Sequence, residues 1–336
     1  MTYENILEDL KNKIYYPVYF LAGEEPYFID KISKTIETTV LGEDERDFNL
    51  VILYGRDTTI DNILAQARQY PNFGTYRVVI VREAQNLRNI EKNEKLKNYL
   101  RKPPKTTILV FDYKYKKADG RTEFAKLLGK AGVYFKSDKL RDYQVPDWII
   151  KLMASKGFRL SPATGFQLAE NLGNDLSKIE NELQKLEINL RPGAEITPEI
   201  IEQHVGISKE FNVFELQNAF GKKDIVKVNR IITYFGANPK ENPAIKVIVI
   251  LFSYFRKVFL YHYLSDKSPK NVAAQLSVHP FFVKDYSSAA ANYSKEKLRR
   301  IFAILREYDL KTKGVECAPL PDGEILKEMA YRILHA

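Results

Sequence analysis

The sequence predicts an α/β domain followed by two all-α domains. Three observations carry that expectation. Apolar runs alternate with helix-period segments over the first 140 residues, strand signals stop after Lys139, and apolar residues thereafter recur at helical spacing. Strands alternating with helices of about 10–15 residues are the pattern of a parallel sheet covered by helices.

Val18-Tyr19-Phe20-Leu21 is an unbroken apolar run that turns at Gly23, as a strand buried on both faces does. Ile29, Ile32, Ile36 and Val40 then recur at helical spacing. Leu50-Val51-Ile52-Leu53 gives a second strand, closed by Tyr54-Gly55. Ile60, Ile63, Leu64 and Ala67 mark a helix that must stop before Pro71, because the residue ahead of a proline is pushed out of the helical region. Val78-Val79-Ile80-Val81 is the third strand. A charged helix over 91–101, ending at Pro103-Pro104, precedes a fourth strand at Ile108-Leu109-Val110-Phe111. A helix over 124–128 and a fifth strand at Val133-Tyr134-Phe135 complete the first domain, residues 1–140.

Residues 141–210 read as a small helical domain. Pro146 suits a first turn, and Trp148, Ile149 and Leu152 form a stripe that runs out at Gly157. Leu176, Ile179, Leu183 and Leu186 give an amphipathic helix, Leu190-Arg191-Pro192-Gly193 a turn, and Thr197-Pro198-Glu199 a capped helix start. Residues 211–336 form a larger helical domain. Val213, Leu216 and Phe220 open it, and Asn242-Pro243 caps a long helix through Leu264. Leu298, Ile301, Phe302 and Leu305 lie on a helix reaching Gly314, and 325–334 closes the chain. No internal repeat is visible.

Composition narrows the function. The 336 residues are 45% hydrophobic and 28% charged, which excludes wholesale disorder. A single cysteine, Cys317, excludes an internal disulfide framework and is read as structural or incidental. His204, His262, His279 and His335 have no paired metal-ligand spacing, so neither a metal nor a cofactor is expected. The most apolar stretch, 245–260, is broken by Lys246, Ser253, Arg256 and Lys257 before the roughly 20 residues of a membrane span. It is expected to be a buried soluble helix, and the N-terminus lacks a signal pattern, so a cytoplasmic protein without a membrane partner is expected. The formal charge is +9, and residues 212–336 hold 20 Lys+Arg against 12 Asp+Glu. Lys222-Lys223 and Arg299-Arg300 are candidate contacts for DNA or acidic partners, or else solvated helix faces.

A strand, a Gly-bearing turn and a helix is the setting of phosphate loops, which need G-x-x-x-x-G-K-[ST]. From Gly23 the chain reads Gly23-Glu24-Glu25-Pro26-Tyr27-Phe28-Ile29-Asp30. Phe28 replaces the second glycine, Ile29 the lysine and Asp30 the hydroxyl residue; Glu24 and Glu25 add negative charge, and Pro26 removes an amide. Arg82-Glu83 follows the third strand, where an Asp-Glu would hold Mg²⁺. The expectation is an ATPase-shaped scaffold without ATPase chemistry and without catalytic residues. Asp112 follows the fourth strand, and its neighbours Lys114, Lys116 and Lys117 suggest a solvated basic loop.

Several segments together resemble the delta subunit of the bacterial DNA polymerase III clamp loader. They are Tyr19-Phe20-Leu21-Ala22-Gly23-Glu24-Glu25-Pro26-Tyr27, Tyr70-Pro71-Asn72-Phe73-Gly74-Thr75-Tyr76-Arg77 running into the third strand, Asn174-Asp175-Leu176 with Asn181-Glu182-Leu183-Gln184-Lys185-Leu186, and Asp309-Leu310-Lys311-Thr312. The resemblance implies an AAA+-like domain with a degenerate P-loop, a helical lid and a helical collar used in oligomerisation. It implies a non-catalytic member of a nucleotidyltransferase holoenzyme, a DNA-directed DNA polymerase. Its partners would be the ring-shaped sliding clamp, which it binds and helps open, the ATPase motor and stator subunits, and primed DNA. A hydrophobic pair that plugs a pocket on the clamp falls on Asn72 and Phe73. The first position is commonly aliphatic, so Phe73 would carry most of the apolar contact, with Tyr70, Pro71 and Gly74 supplying the rest.

Phe73 is a candidate anchor on physical grounds as well. It lies between a helix breaker, Pro71, and a flexible Gly74, hence on a turn. Burying an exposed phenyl gains about 1.5–3 kcal/mol, and aromatics often dominate interfaces. The plainer alternative is that Phe73 folds back onto its own sheet. Competing functions are a divergent AAA+ ATPase using Glu83, a basic DNA-binding helical protein without a clamp partner, or a sibling subunit. The missing loop lysine disfavours a motor, and the missing Ser-Arg-Cys segment disfavours a stator.

Overall fold

Five strands, β1 (Val18–Gly23), β2 (Leu50–Tyr54), β3 (Arg77–Arg82), β4 (Thr107–Lys114) and β5 (Val133–Ser137), pair in parallel in the order β2-β3-β4-β1-β5. The computed structural model describes residues 1–116, 120–205, 211–315 and 320–336; Lys117 and Cys317 lie outside the described residues. Two compact units divide the chain, Met1–Leu140 and Arg141–Ala336.

In the first unit the sheet is covered on both sides, which is why its central strands are continuously apolar. The helices are α1 (Tyr3–Lys11), α2 (Pro26–Thr39), α3 (Glu43–Asn49), α4 (Ile60–Ala67), α5 (Glu94–Arg101) and α6 (Glu123–Ala131). Val18, Phe20, Val79, Val81, Leu109 and Phe111 pack with α4, α5 and α6, while α2 runs over the opposite face and α1 packs on α2. Thr59, Asn93 and Thr122 cap α4, α5 and α6 through their side-chain oxygens, each worth about 0.5–2 kcal/mol. β2 is an edge strand, so Ile52 and Tyr54 are exposed.

Two expectations change here. The helix expected over 91–101 is split into a 3-10 turn (Ile90–Lys92) and α5, because the Asn93 side chain accepts the Leu96 amide and starts the helix anew. Asp112 is not in a solvated loop: β4 continues through it to Lys114, and Asp112 is buried at 1% exposure against α2.

The second unit is mostly helical. It contains α7 (Val145–Ser155), β6 (Arg159–Leu160), α8 (Pro162–Leu172), α9 (Leu176–Asn189), β7 (Glu195–Ile196) and α10 (Pro198–Val205). After these come α11 (Val213–Lys222), α12 (Ile225–Ala237), α13 (Ala244–Tyr261), α14 (Pro269–Leu276), α15 (Val283–Asn292), α16 (Lys295–Thr312) and α17 (Asp322–Leu334). Strand signals after Lys139 are weak rather than missing, since β6 and β7 form a two-residue parallel ladder. α8 escapes an apolar-period reading because it buries Thr164, Gly165, Gln167 and Ala169 beside one large apolar side chain, Leu168. The 245–260 segment is not wholly buried. Val247, Ile248, Leu251, Phe255 and Val258 enter the core of α11–α17, whereas Ile245, Val249, Phe252 and Leu260 are exposed. α13 ends at Tyr261, three residues before the expected Leu264. Among the described residues no helix is long and apolar enough to cross a membrane.

Gly236 and Gly323 let α12 and α17 meet backbone to backbone, and a Cβ on Gly236 would lie 2.8 Å from the Gly323 Cα. Gly236→Val is expected to cost about 1–3 kcal/mol through overpacking, read as a lower urea midpoint; an unchanged midpoint would contradict the close approach.

Candidate functional site

The segment linking α4 to β3 forms a tip at the amino-terminal edge of the sheet. α4 ends at Ala67, and the chain turns through Tyr70, Pro71, Asn72, Phe73 and Gly74 before entering β3 at Arg77. Tyr70 is 81% exposed and Phe73 45%, while Pro71 is half-buried and Asn72 and Gly74 are exposed. Phe73 therefore does not fold back into the sheet.

The tip is held from below. Asn49, the last residue of α3, is fully buried; its Oδ1 accepts the Asn72 amide at 2.9 Å, and its Nδ2 donates to the Phe73 carbonyl at 2.6 Å. One side-chain amide thus satisfies a donor and an acceptor on consecutive residues. Arg77, also buried, donates to the Gln66 carbonyl at 3.1 Å, to Gln66 Oε1 at 2.8 Å and to the Phe48 carbonyl at 3.3 Å, joining the end of α4 to α3. Gly74 adopts φ +81°, and a Cβ there would collide with the Glu45 carboxylate, so this turn requires glycine. The Phe48 ring lies 5.3 Å from the Phe73 ring at 59°. The sequence reading missed Phe48, Asn49 and Arg77. A signal for the first two existed: one phenylalanine and a following asparagine end an otherwise charged segment, Glu43-Asp44-Glu45-Arg46-Asp47.

The carboxyl-terminal edge, where ligands of open parallel sheets bind, is filled by the chain's own side chains. Two residues, Glu24 and Glu25, separate β1 from α2, fewer than the four that stand between the glycines of a phosphate loop. A Cβ on Gly23 would strike the Ser137 carbonyl. Glu25 Oε1 accepts the Tyr27 amide at 3.2 Å, so a carboxylate caps the α2 N-terminus; Ser137 Oγ donates to the Glu25 carbonyl at 2.6 Å. Arg82 pairs with Glu37 of α2 at 2.5 Å, and Glu83 pairs with Arg56 at 3.4 Å and accepts from Asn86 Nδ2 at 3.1 Å. Lys114 pairs with Asp30 at 2.5 Å. Asp112 Oδ2 accepts the Ser33 hydroxyl at 2.9 Å, while Oδ1 is buried without a hydrogen-bond partner among the described residues. Burial pushes the Asp112 carboxyl up to about 7, against the opposing pull of the Ser33 hydrogen bond.

The basic candidates divide. Lys222 ends α11 and is exposed. Lys223 is left-handed at φ 55°, with its ammonium 4.9 Å over the Tyr293 ring. Desolvation, then the neighbouring Lys297 of α16, lowers its pKa. Arg300 falls on the Lys297 side of α16, three residues on, and Arg299 does not. No group of three His, Cys, Asp or Glu suited to a metal occurs among the described residues.

Comparison with known proteins gives two family matches: "DNA polymerase III, delta subunit" over residues 19–137, and "DNA polymerase III delta subunit, C-terminal domain" over residues 210–322. The DNA polymerase III subunit delta of Bacillus subtilis strain 168 is 27% identical over 319 residues, covering 92% of this chain and 91% of that protein. A solved structure of the Bacillus subtilis DNA clamp loader delta protein aligns over all of both chains, with a TM-score of 0.59 at 26% identity.

Asn49→Ala is expected to cost about 1–3 kcal/mol and to speed amide exchange at Asn72. Asn49→Asp should keep that amide protected while losing the Phe73 contact; equal protection in all three proteins would contradict the bridge. Asp112 gives a pH dependence. Its folded-state pKa stands above the unfolded value, so folding takes up a proton between about pH 4 and 7 and stability falls as pH rises through that window. Above it the carboxylate costs at most about 4 kcal/mol. Asp112→Asn should flatten the profile of urea midpoints between pH 4 and 7 and exceed the wild type at pH 8; parallel profiles would refute the assignment.

Proposed function

Because the chain belongs to the DNA polymerase III delta subunit family, we propose that it docks on the sliding clamp through Phe73 and favours the opened ring. On this reading motor subunits of the clamp loader supply the ATP chemistry. The observation that carries the proposal is an exposed phenyl on a turn whose backbone is fixed on both sides by Asn49. A phenyl held in place loses little freedom on docking, so more of its burial appears as affinity.

Support for an absent nucleotide role comes from the carboxyl edge. The two-residue link, the Glu25 cap and the Arg82–Glu37 pair stand where a P-loop, a phosphate and a Mg²⁺ carboxylate would. Gly23, Glu24 and Glu25 are then a degenerate loop kept for folding. We also propose that 141–210 is the lid and 211–336 the collar that meets the motor and stator subunits. The buried core of α11–α17 runs from Val213 to Ile333 and, among the described residues, takes no buried member from the lid, although Phe166 of α8 leans on it. Lys222, Lys223, Arg299 and Arg300 would face primed DNA or partner acids from that collar.

Ring opening follows from differential affinity, since a ligand shifts an equilibrium only as far as it prefers one state. A preference of about 10⁴-fold, or about 5.5 kcal/mol, carries a two-state ring from 1:99 to 99:1. One phenyl supplies about 1.5–3 kcal/mol, so further contacts or strain in the ring must add to it.

The test is calorimetric titration of the full chain with the sliding clamp of its own organism, without nucleotide. Phe73→Ala should weaken binding about 10- to 150-fold at an unchanged unfolding midpoint. Undiminished affinity, or tight ATP binding by the chain alone, would overturn the reading.

A further inference from the structure

Resting on the reading that Phe73 docks on the clamp, we propose that Phe48 is a second anchor of the same site. The acidic helix α3 that carries it, with Glu43, Asp44 and Asp47 exposed, would select a pocket with an apolar floor and a basic rim. The two phenyls come from different elements, Phe48 from α3 and Phe73 from the α4–β3 turn, yet they sit 5.3 Å apart and are 54% and 45% exposed. Neither is absorbed into the core. The residue beside Phe73 is the polar Asn72, whose amide is already engaged by Asn49, so the adjoining position along the chain offers no apolar group. Phe48 offers one across the fold.

Phe48 is as firmly placed as Phe73. Its carbonyl accepts from the buried Arg77, and the next residue, Asn49, grips the turn that carries Phe73. The same two side chains therefore set the spacing of both rings. A pair of rigid aromatics at fixed separation is the makeup of an interface hot spot.

Charge names the partner. The chain is basic overall at +9, but α3 carries Glu43, Asp44, Glu45 and Asp47 against Arg46, and Glu43, Asp44 and Asp47 are exposed. A carboxylate rim repels a phosphate backbone, so this face fits a protein surface with cationic residues around an apolar hollow rather than DNA.

The experiment uses the full chain and the purified clamp without nucleotide. Phe48→Ala should weaken binding about 10-fold with no change in urea midpoint, and Phe48→Leu should stay within about 3-fold of wild type. In the Phe73→Ala background, Phe48→Ala should still cost about 5-fold or more, whereas a residue that only orients Phe73 would then cost nothing. Asp44→Lys with Asp47→Lys should weaken binding and remove its decline with added salt. If Phe73→Ala weakens the complex but Phe48→Ala does not, or costs nothing further in the double variant, the second anchor is refuted and the Phe73 reading stands. If Phe73→Ala has no effect, the reading itself falls and this inference with it.

Discussion

Parallel pairing of five strands is the constraint from which the rest of the first unit follows. All strands point the same way, so connecting segments divide into those leaving the carboxyl edge and those entering the amino edge. Helices must cover both faces, so only these two edges and the outer strands remain open to a partner. The chain treats the two edges differently.

At the carboxyl edge, charge is turned inward. Glu25 caps α2, Arg82 pairs with Glu37, Lys114 pairs with Asp30, and Asp112 is buried on Ser33. Each satisfies a backbone end or a neighbouring side chain, and together they occupy the edge at which open parallel sheets bind ligands. Asp112 is the costly member, since one oxygen is buried without a partner among the described residues and the carboxyl resists ionisation.

At the amino edge, polarity is turned to preorganisation. The Asn49 amide and the Arg77 guanidinium spend all but one of these hydrogen bonds on backbone groups of α3, of the end of α4 and of the following turn, the exception being Arg77 to Gln66 Oε1. The apolar rings above are left to solvent. Loops positioned on a rigid frame commonly carry binding, and here the frame consists of one asparagine that closes the charged 43–47 run and one arginine at the start of β3.

The sequence by itself determined the sheet, because short β-branched runs such as Val78-Val79-Ile80-Val81, bounded by turn residues, fit buried strands and are too short for helices, and Pro71 keeps the preceding helix from running on. It also determined that Phe73 lies on a turn, and that Phe28, Ile29 and Asp30 stand where a phosphate loop needs other residues. Those facts concern neighbours in the chain. Only the tertiary structure decided that Phe48 meets Phe73, that Asn49 bridges residues 72 and 73, that Asp112 lies within β4, and that apolar residues of the 245–260 helix such as Val249 and Phe252 face solvent. Each is a contact or burial set by strands and helices far apart in sequence, and local periodicity carries no information about which distant element will arrive on which face.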